Sequence, residues 1–212
     1  MDKILITGGA GNVGGALARK LVENKNYNVV IADNLLTGSK SKLPSKDYSN
    51  WKFVHCDVNS YKEISELMLV NQFDYVFHYA AVVGVKRTQE QPIAVLNDIE
   101  GIRNILQLSK NSSVKRVFYS SSSEVYGEPV ELPQHEQTTP LNSRVPYAVV
   151  KNVGESFCRT YFQKFNLDYF LSHDMSQKNF YIPNKKNLIS QFYFNPLINP
   201  HSIKKIICYI TR

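Results

Sequence analysis

At 212 residues, with 43% hydrophobic and 20% charged side chains, the chain can build one full-sized domain and falls outside the compositionally disordered class. Its formal charge of +7 invites an acidic partner, but from Ser172 onward six basic residues face the single acid Asp174, leaving only +2 for Met1–Leu171; this argues against nucleic acid as a partner of the body. No apolar run approaches the ~20 residues of a membrane span, and Cys56, Cys158 and Cys208 show neither CxxC pairing nor metal-ligand spacing. The expectation is a soluble, cytoplasmic protein with free thiols, no bound metal and no membrane partner.

The predicted elements alternate along the chain. Lys3–Thr7 is a short apolar strand ending in glycines, and Asn12–Glu23 has helical spacing with Val13, Leu17, Leu21 and Val22 on one face. Val29–Ala32 is a second strand closed by Asp33, and Phe53–His55 a third, followed by a helix over Tyr61–Leu69. Tyr75–Tyr79 is a fourth strand, Val95–Leu108 a helix and Arg116–Ser120 a fifth strand. After a long loop come a helix over Tyr147–Phe165 and a strand at Leu167–Leu171. Strands separated by helices imply βαβ units, hence an α/β, Rossmann-like doubly wound parallel sheet covered on both faces. Residues 1–171 read as this domain. Gly154 is the last glycine, and residues 172–212 form a basic, Asn- and Lys-rich tail with no sustained period.

The first chemical motif is Thr7-Gly8-Gly9-Ala10-Gly11-Asn12-Val13-Gly14, placed after the first strand and opening a helix. Glycines there permit a tight turn and close approach to a pyrophosphate, while the helix N-terminus offers free N–H groups and a positive dipole end. Asp33 ends the next strand at about the ~20-residue offset expected of a carboxylate that bonds the adenosine ribose. A carboxylate at that place repels a 2′-phosphate, so NAD is favoured over NADP.

These residues resemble the TGGAGxxG loop of the extended short-chain dehydrogenase/reductase family, the NAD-dependent sugar-nucleotide epimerases, dehydratases and UDP-glucuronate decarboxylases. Asp33-Asn34-Leu35-Leu36-Thr37-Gly38 is similar to the family's DNLxTG stretch, and His55-Cys56-Asp57-Val58 to its adenine-contacting segment. His78-Tyr79-Ala80-Ala81 resembles the H-x-A-A stretch that runs past the cofactor. The resemblance implies NAD bound by Gly8, Gly11, Asn12, Val13, Gly14, Asp33, Asn34, Asp57, Val58, Ala80, Ala81 and Lys151. One departure is Asp98, three residues before Gly101, where the family usually carries Asn.

Ser120-Ser121-Ser122-Ser123-Glu124-Val125-Tyr126-Gly127 ends the fifth strand, and Tyr147-Ala148-Val149-Val150-Lys151 opens a helix that puts Lys151 one turn beyond Tyr147. The family resemblance implies Ser122, Tyr147 and Lys151 as the catalytic set. A free tyrosine, with a pKa of ~10, is a poor base, but a neighbouring ammonium and a positive nicotinamide favour phenolate. Tyr147 is then expected to take the proton of a sugar hydroxyl as hydride moves to NAD, with Ser122 orienting that hydroxyl and Lys151 holding the nicotinamide ribose. Glu124 stands where simple 4-epimerases are uncharged and where dehydratases and UDP-glucuronate decarboxylases often carry Glu; pairing with a cation or capping a turn is the other reading. Lys86, Arg87 and Arg144 are candidates to meet an acidic nucleotide sugar or simply to be solvated. His78 is expected to pack in the sheet and His135 to sit in a surface loop.

The resemblance ends near Asp168-Tyr169-Phe170. The RxFNxYGP strand and the smaller substrate-closing domain of complete family members have no counterpart, and Leu171-Ser172-His173-Asp174 stands in that place. The expectation is a truncated or frameshifted member whose last ~40 residues are foreign to the fold. Two functions then compete: a UDP-sugar epimerase/dehydratase, including a decarboxylase-like variant, and an inactive NAD-binding remnant. The family's usual dimer helices, near Val95–Leu108 and at Tyr147, are present and imply a homodimer.

Overall fold

The computed structural model describes residues 1–112, 114–128 and 139–172. Among them six strands form one parallel sheet: β1 (Asp2–Thr7), β2 (Tyr27–Asp33), β3 (Trp51–His55), β4 (Tyr75–His78), β5 (Arg116–Ser120) and β6 (Asp168–Ser172). Their order is β3-β2-β1-β4-β5-β6, so the chain builds outward from β1 to β3, crosses back, and builds outward again from β4 to β6. The reversal falls between β1 and β4, paired from Ile4–Tyr75 to Thr7–His78. Such a switch opens a crevice beyond the carboxyl ends of the strands, where open α/β sheets bind ligands. The fold is the expected Rossmann-like doubly wound sheet, and the described residues contain no second, substrate-binding domain.

The helices are α1 (Asn12–Leu21), α2 (Tyr61–Asn71), α3 (Val85–Glu90), α4 (Pro92–Lys110) and α5 (Pro146–Phe165), with single 3-10 turns at Lys40–Lys42 and Ser123–Tyr126. Both α4 and α5 start on proline, whose missing N–H costs nothing in a first turn. The sequence announces neither α3 nor the turn after β5. Val85 is the only aliphatic residue of α3, so no apolar stripe marks that helix, which the chain enters through Gly84 at φ +102°. Strand β6 reaches Ser172, one residue into the segment read as tail; His135, Cys208 and the rest of the tail lie outside the described residues.

Alternation along the strands divides the core between two faces. Ile4, Ile6, Val29 and Ile31 pack with Leu17, Ala18 and Leu21 of α1. Leu5, Val30, Val76 and Val117 pack with Ile64 and Met68 of α2, Ile105 and Leu106 of α4, and Cys158 of α5. Val13, expected on the core face of α1, is only half-buried and faces the crevice instead. Buried Asn104 of α4 donates to the carbonyl oxygens of Val58 (3.0 Å) and Asn59 (3.3 Å), fastening the loop after β3 to the helix beside it.

Candidate active site

The crevice is a cleft of about 500 Å3 at the carboxyl ends of the central strands, a size typical of small-molecule sites. Gly8, Gly11, Asn12, Val13 and Gly14 line one part of it. Gly8 has φ +68° and donates its N–H to Ala32 O at 2.8 Å, turning the chain from β1 toward α1. A Cβ on Gly14 would stand 2.5 Å from Gly8 O, so only glycine lets α1 begin this close to the loop. Gly11 caps α1 without a side chain, and the first-turn N–H groups, which have no intrahelical partner, belong to the cleft wall.

Asp33 and Asn34 line the adjoining wall, with Asp57 and Val58 from the end of β3 and Ala80 and Ala81 from the end of β4. Asp33 is 7% exposed and held at both oxygens, Oδ2 accepting Ala10 N–H (2.9 Å) and Oδ1 accepting Leu35 N–H (2.8 Å). Each carboxylate oxygen keeps a further acceptor site for a ribose hydroxyl. The spacing that singled out Asp33 says nothing of these two N–H groups, which aim it. Cys56 also lines the wall, but burial, with Glu63 and Asp57 nearby, pushes its thiol up to about 12, so it is no nucleophile.

Tyr147 and Lys151 line the same cleft, together with Ser120. Ser122 acts on Tyr147, drawing its pKa downward, and Glu124 N–H donates to Ser122 Oγ at 3.2 Å. Lys151 Nζ donates to Ser120 O at 2.7 Å and lies 5.6 Å from the centre of the Tyr147 ring. Ser122 and Glu124, expected in the catalytic set, do not line the cleft: Ser122 caps the 3-10 turn Ser123–Tyr126, and Glu124 is exposed on it.

The expectation for Tyr147 joined two charges, the Lys151 ammonium and a positive nicotinamide, and only the first belongs to the chain. Burial, and secondarily the charges of Glu124 and Asp98, hold Tyr147 above its ordinary pKa, and the Ser122 hydrogen bond only partly opposes them. The neighbouring ammonium therefore does not by itself produce phenolate; desolvation outweighs it. Burial also brings Lys151 from 10.5 down to about 8, with Asp98 acting the other way.

Two further residues shape the site. Glu155 is 1% exposed; its Oε1 accepts the Ser121 hydroxyl at 2.5 Å and its Oε2 accepts Arg159 at 3.1 Å. It ties α5 to the residue preceding Ser122. His78 is buried as expected, bonded through Nδ1 to Thr7 Oγ1 at 2.8 Å, and burial brings its pKa down to about 3, so it stays neutral. Lys86 is exposed and within 3.8 Å of Glu90, Arg87 donates to Val83 O, and Arg144 is exposed. None of the three lines the cleft.

The buried ammonium has a consequence for stability. Unfolded, Lys151 keeps its proton up to about 10.5; folded, only up to about 8, so the cost of burying its charge is present in full below about 8 and fades between those values. Lys151→Met should therefore raise thermal stability at neutral pH by about 1–3 kcal/mol, less what the stranded Ser120 carbonyl costs. The gain should shrink as pH rises through that window. Melting temperatures across the pH range check this, and a variant less stable than the parent at pH 7 would contradict it.

Comparison with known proteins decides the family. The model of the NAD dependent epimerase/dehydratase family matches residues 4–173. The chain belongs to that family. A putative UDP-glucose 4-epimerase of Methanocaldococcus jannaschii is 37% identical over 168 residues, covering 78% of this chain and 53% of that protein. A UDP-N-acetyl-alpha-D-glucosaminuronate decarboxylase of Bacillus cytotoxicus is 37% identical over 75% of this chain and 50% of its own length. Among solved structures, the UDP-glucose 4-epimerase of Brucella ovis in complex with NAD superposes with a TM-score of 0.72 at 28% identity, covering 82% of this chain and 51% of that one. The chain thus spans about half the length of the curated relatives it matches.

The cleft fits the dinucleotide in the family's name. Glycine backbone at a helix N-terminus suits a pyrophosphate, the fixed Asp33 carboxylate suits a ribose, and Val58, Ala80 and Ala81 supply apolar wall for the rings.

Proposed function

We propose that this chain binds NAD in the cleft and performs the transient-oxidation chemistry of UDP-sugar epimerases and their relatives. The observation that carries the reading is Tyr147 with the buried Lys151 ammonium 5.6 Å from its ring centre, both in the same cleft as the glycine loop. NAD supplies the hydride acceptor. Tyr147 takes the proton of a ring hydroxyl, Ser122 holds that hydroxyl in line, and Lys151 adds positive charge and donors to the cofactor ribose. The C–H electron pair leaves as hydride, the O–H proton stays on Tyr147, and the sugar becomes a ketone. Return of hydride to the opposite face of the carbonyl carbon, and of the Tyr147 proton to its oxygen, would complete an epimerisation.

Glu124 supports a second reading. Its charge acts on Tyr147, and a carboxylate beside a ketone can remove an α proton or assist loss of a neighbouring group, chemistry nearer the decarboxylase-like relatives. Exposed Ile93 and Leu96 on α4 and Val149 on α5 support a homodimer formed through these two helices, which sedimentation would test.

The deciding experiment incubates the full chain with NAD and a panel of UDP-hexoses, UDP-N-acetylhexosamines and UDP-hexuronates, with products read by mass spectrometry and NMR. Unchanged mass with one inverted carbon identifies an epimerase; loss of water or of carbon dioxide identifies the elimination or decarboxylation relatives. NAD binding without any product identifies a cofactor-binding remnant, and failure to bind NAD overturns the proposal.

A further inference from the structure

The loop after β2 closes on the glycine loop around Ala10. Ala10 N–H donates to Asp33 Oδ2 at 2.9 Å, and Ala10 O accepts Ser39 N–H at 2.9 Å, so this buried residue is gripped from both sides. Gly38, just before Ser39, lies against the same two partners. A Cβ there would stand 2.6 Å from Asp33 Oδ1, 3.0 Å from Asp33 Cγ and 3.0 Å from Ala10 Cβ. Gly38 is not among the glycines of positive φ, so close approach, not backbone conformation, excludes a side chain.

The loop has little freedom to retreat. Beyond Gly38 it is fastened to α1, where Lys42 O accepts the Arg19 guanidinium and where a Cβ on Gly15 would come within 2.9 Å of the same carbonyl oxygen. Before Gly38 it is held at Asn34, whose carbonyl oxygen lies 3.2 Å from His55 Nε2. Leu35 then adopts φ +59°, uncommon for a side chain of its size, and in that conformation its N–H reaches Asp33 Oδ1 at 2.8 Å. The Asp33 carboxylate is therefore the part that gives. Turning it away from Gly38 takes Oδ1 from Leu35 N–H and Oδ2 from Ala10 N–H, the two donors that aim it.

We propose that Gly38 is a positioning residue for recognition of the adenosine ribose: its missing side chain lets the loop lock onto Ala10 while the Asp33 carboxylate stays aimed at the ribose hydroxyls.

Asn34, Leu36 and Thr37 line the cleft and Gly38 does not, so its effect reaches a cofactor through Asp33 and not by contact. The proposal rests on the reading that NAD binds with its adenosine ribose at Asp33. Calorimetry compares NAD with its analogue lacking the adenosine 2′-hydroxyl, the group such a carboxylate bonds. The parent should bind NAD roughly tenfold or more tightly than the analogue, the worth of a hydrogen bond to a charged group. Gly38→Ala should lose about that factor for NAD, yet bind the analogue within about twofold of the parent. Loss of packing alone would weaken both ligands equally, and that result, or an unchanged NAD affinity, overturns the proposal while leaving NAD binding intact. A parent that binds no NAD overturns the reading of the cleft, and the proposal with it. Should Gly38→Ala fail to fold, the Asp33→Ala background decides, because it removes the carboxylate that the new Cβ would meet. There Gly38→Ala should leave the melting temperature where Asp33→Ala alone puts it, and a double variant that still fails to fold overturns the proposal.

Discussion

Tyr147→Phe should slow reduction of NAD by a UDP-sugar roughly 10²–10⁴-fold, the usual contribution of a positioned general base, with NAD affinity kept within about twofold. The change removes one oxygen and leaves the ring packed against Val82, Val95 and Val150. Ser122 Oγ is not stranded, because it still accepts Glu124 N–H. The hydroxyl removed is un-ionised in the cofactor-free chain, since burial holds it above its ordinary pKa, so no buried charge loses its partner. Stability should therefore change by less than about 1 kcal/mol. Single-turnover absorbance of the reduced cofactor measures the rate, calorimetry the affinity. A residual rate within about tenfold of the parent would remove Tyr147 from the role of base.

The pH dependence of the parent has a defined sign. The reaction needs phenolate, and burial opposes it, so the rate should rise with pH on the acid side. The Lys151 ammonium favours phenolate and is lost as pH passes about 8, so the gain should flatten or reverse there. The two groups share one cleft, and the observed limbs belong to the pair rather than to either residue.

What the sequence revealed and what it hid follow from the range of the forces involved. Strands such as Arg116–Ser120 were legible because apolar runs bounded by turns report burial locally. The glycine loop and Asp33 were legible because a helix N-terminus and a strand end impose fixed spacing. Glu155 was invisible: a glutamate in a helix reads as solvated until the fold brings Ser121, 34 residues away, within hydrogen-bonding distance. Asp98 was visible as a departure from the family pattern, but its partners Asn59 and Val82 come from two other segments. The direction of the Tyr147 shift was hidden for the same reason. An ammonium four residues away is a local fact, whereas desolvation is the sum of everything packed around the ring.

Gly8→Ala should cost about 2–4 kcal/mol of stability and at least tenfold in NAD affinity, from two separable causes. The first is conformational: Gly8 sits at φ +68°, where an L side chain is strained by about 1–2 kcal/mol. The second is steric. A Cβ there would lie 2.6 Å from Ala80 N, 2.7 Å from Tyr79 C and 2.8 Å from Ala80 Cα, all of them backbone, so no rotamer change relieves the contact. Relief requires the β4 exit to move away from β1, and that movement carries Ala80 and Ala81 with it, both of them cleft wall. It also loosens the long Ala80 N–H contact to Thr7 Oγ1, at 3.4 Å, on the strand that delivers the glycine loop. Gly84→Ala is the matched control: Gly84 also has positive φ, +102°, but among the described residues its Cβ would meet only the Arg87 guanidinium, at 3.8 Å. Strain without collision should lower its melting temperature modestly and leave NAD affinity within about twofold. Equal losses in the two variants would mean that the approach of β1 to β4 is not what shapes the cofactor cleft.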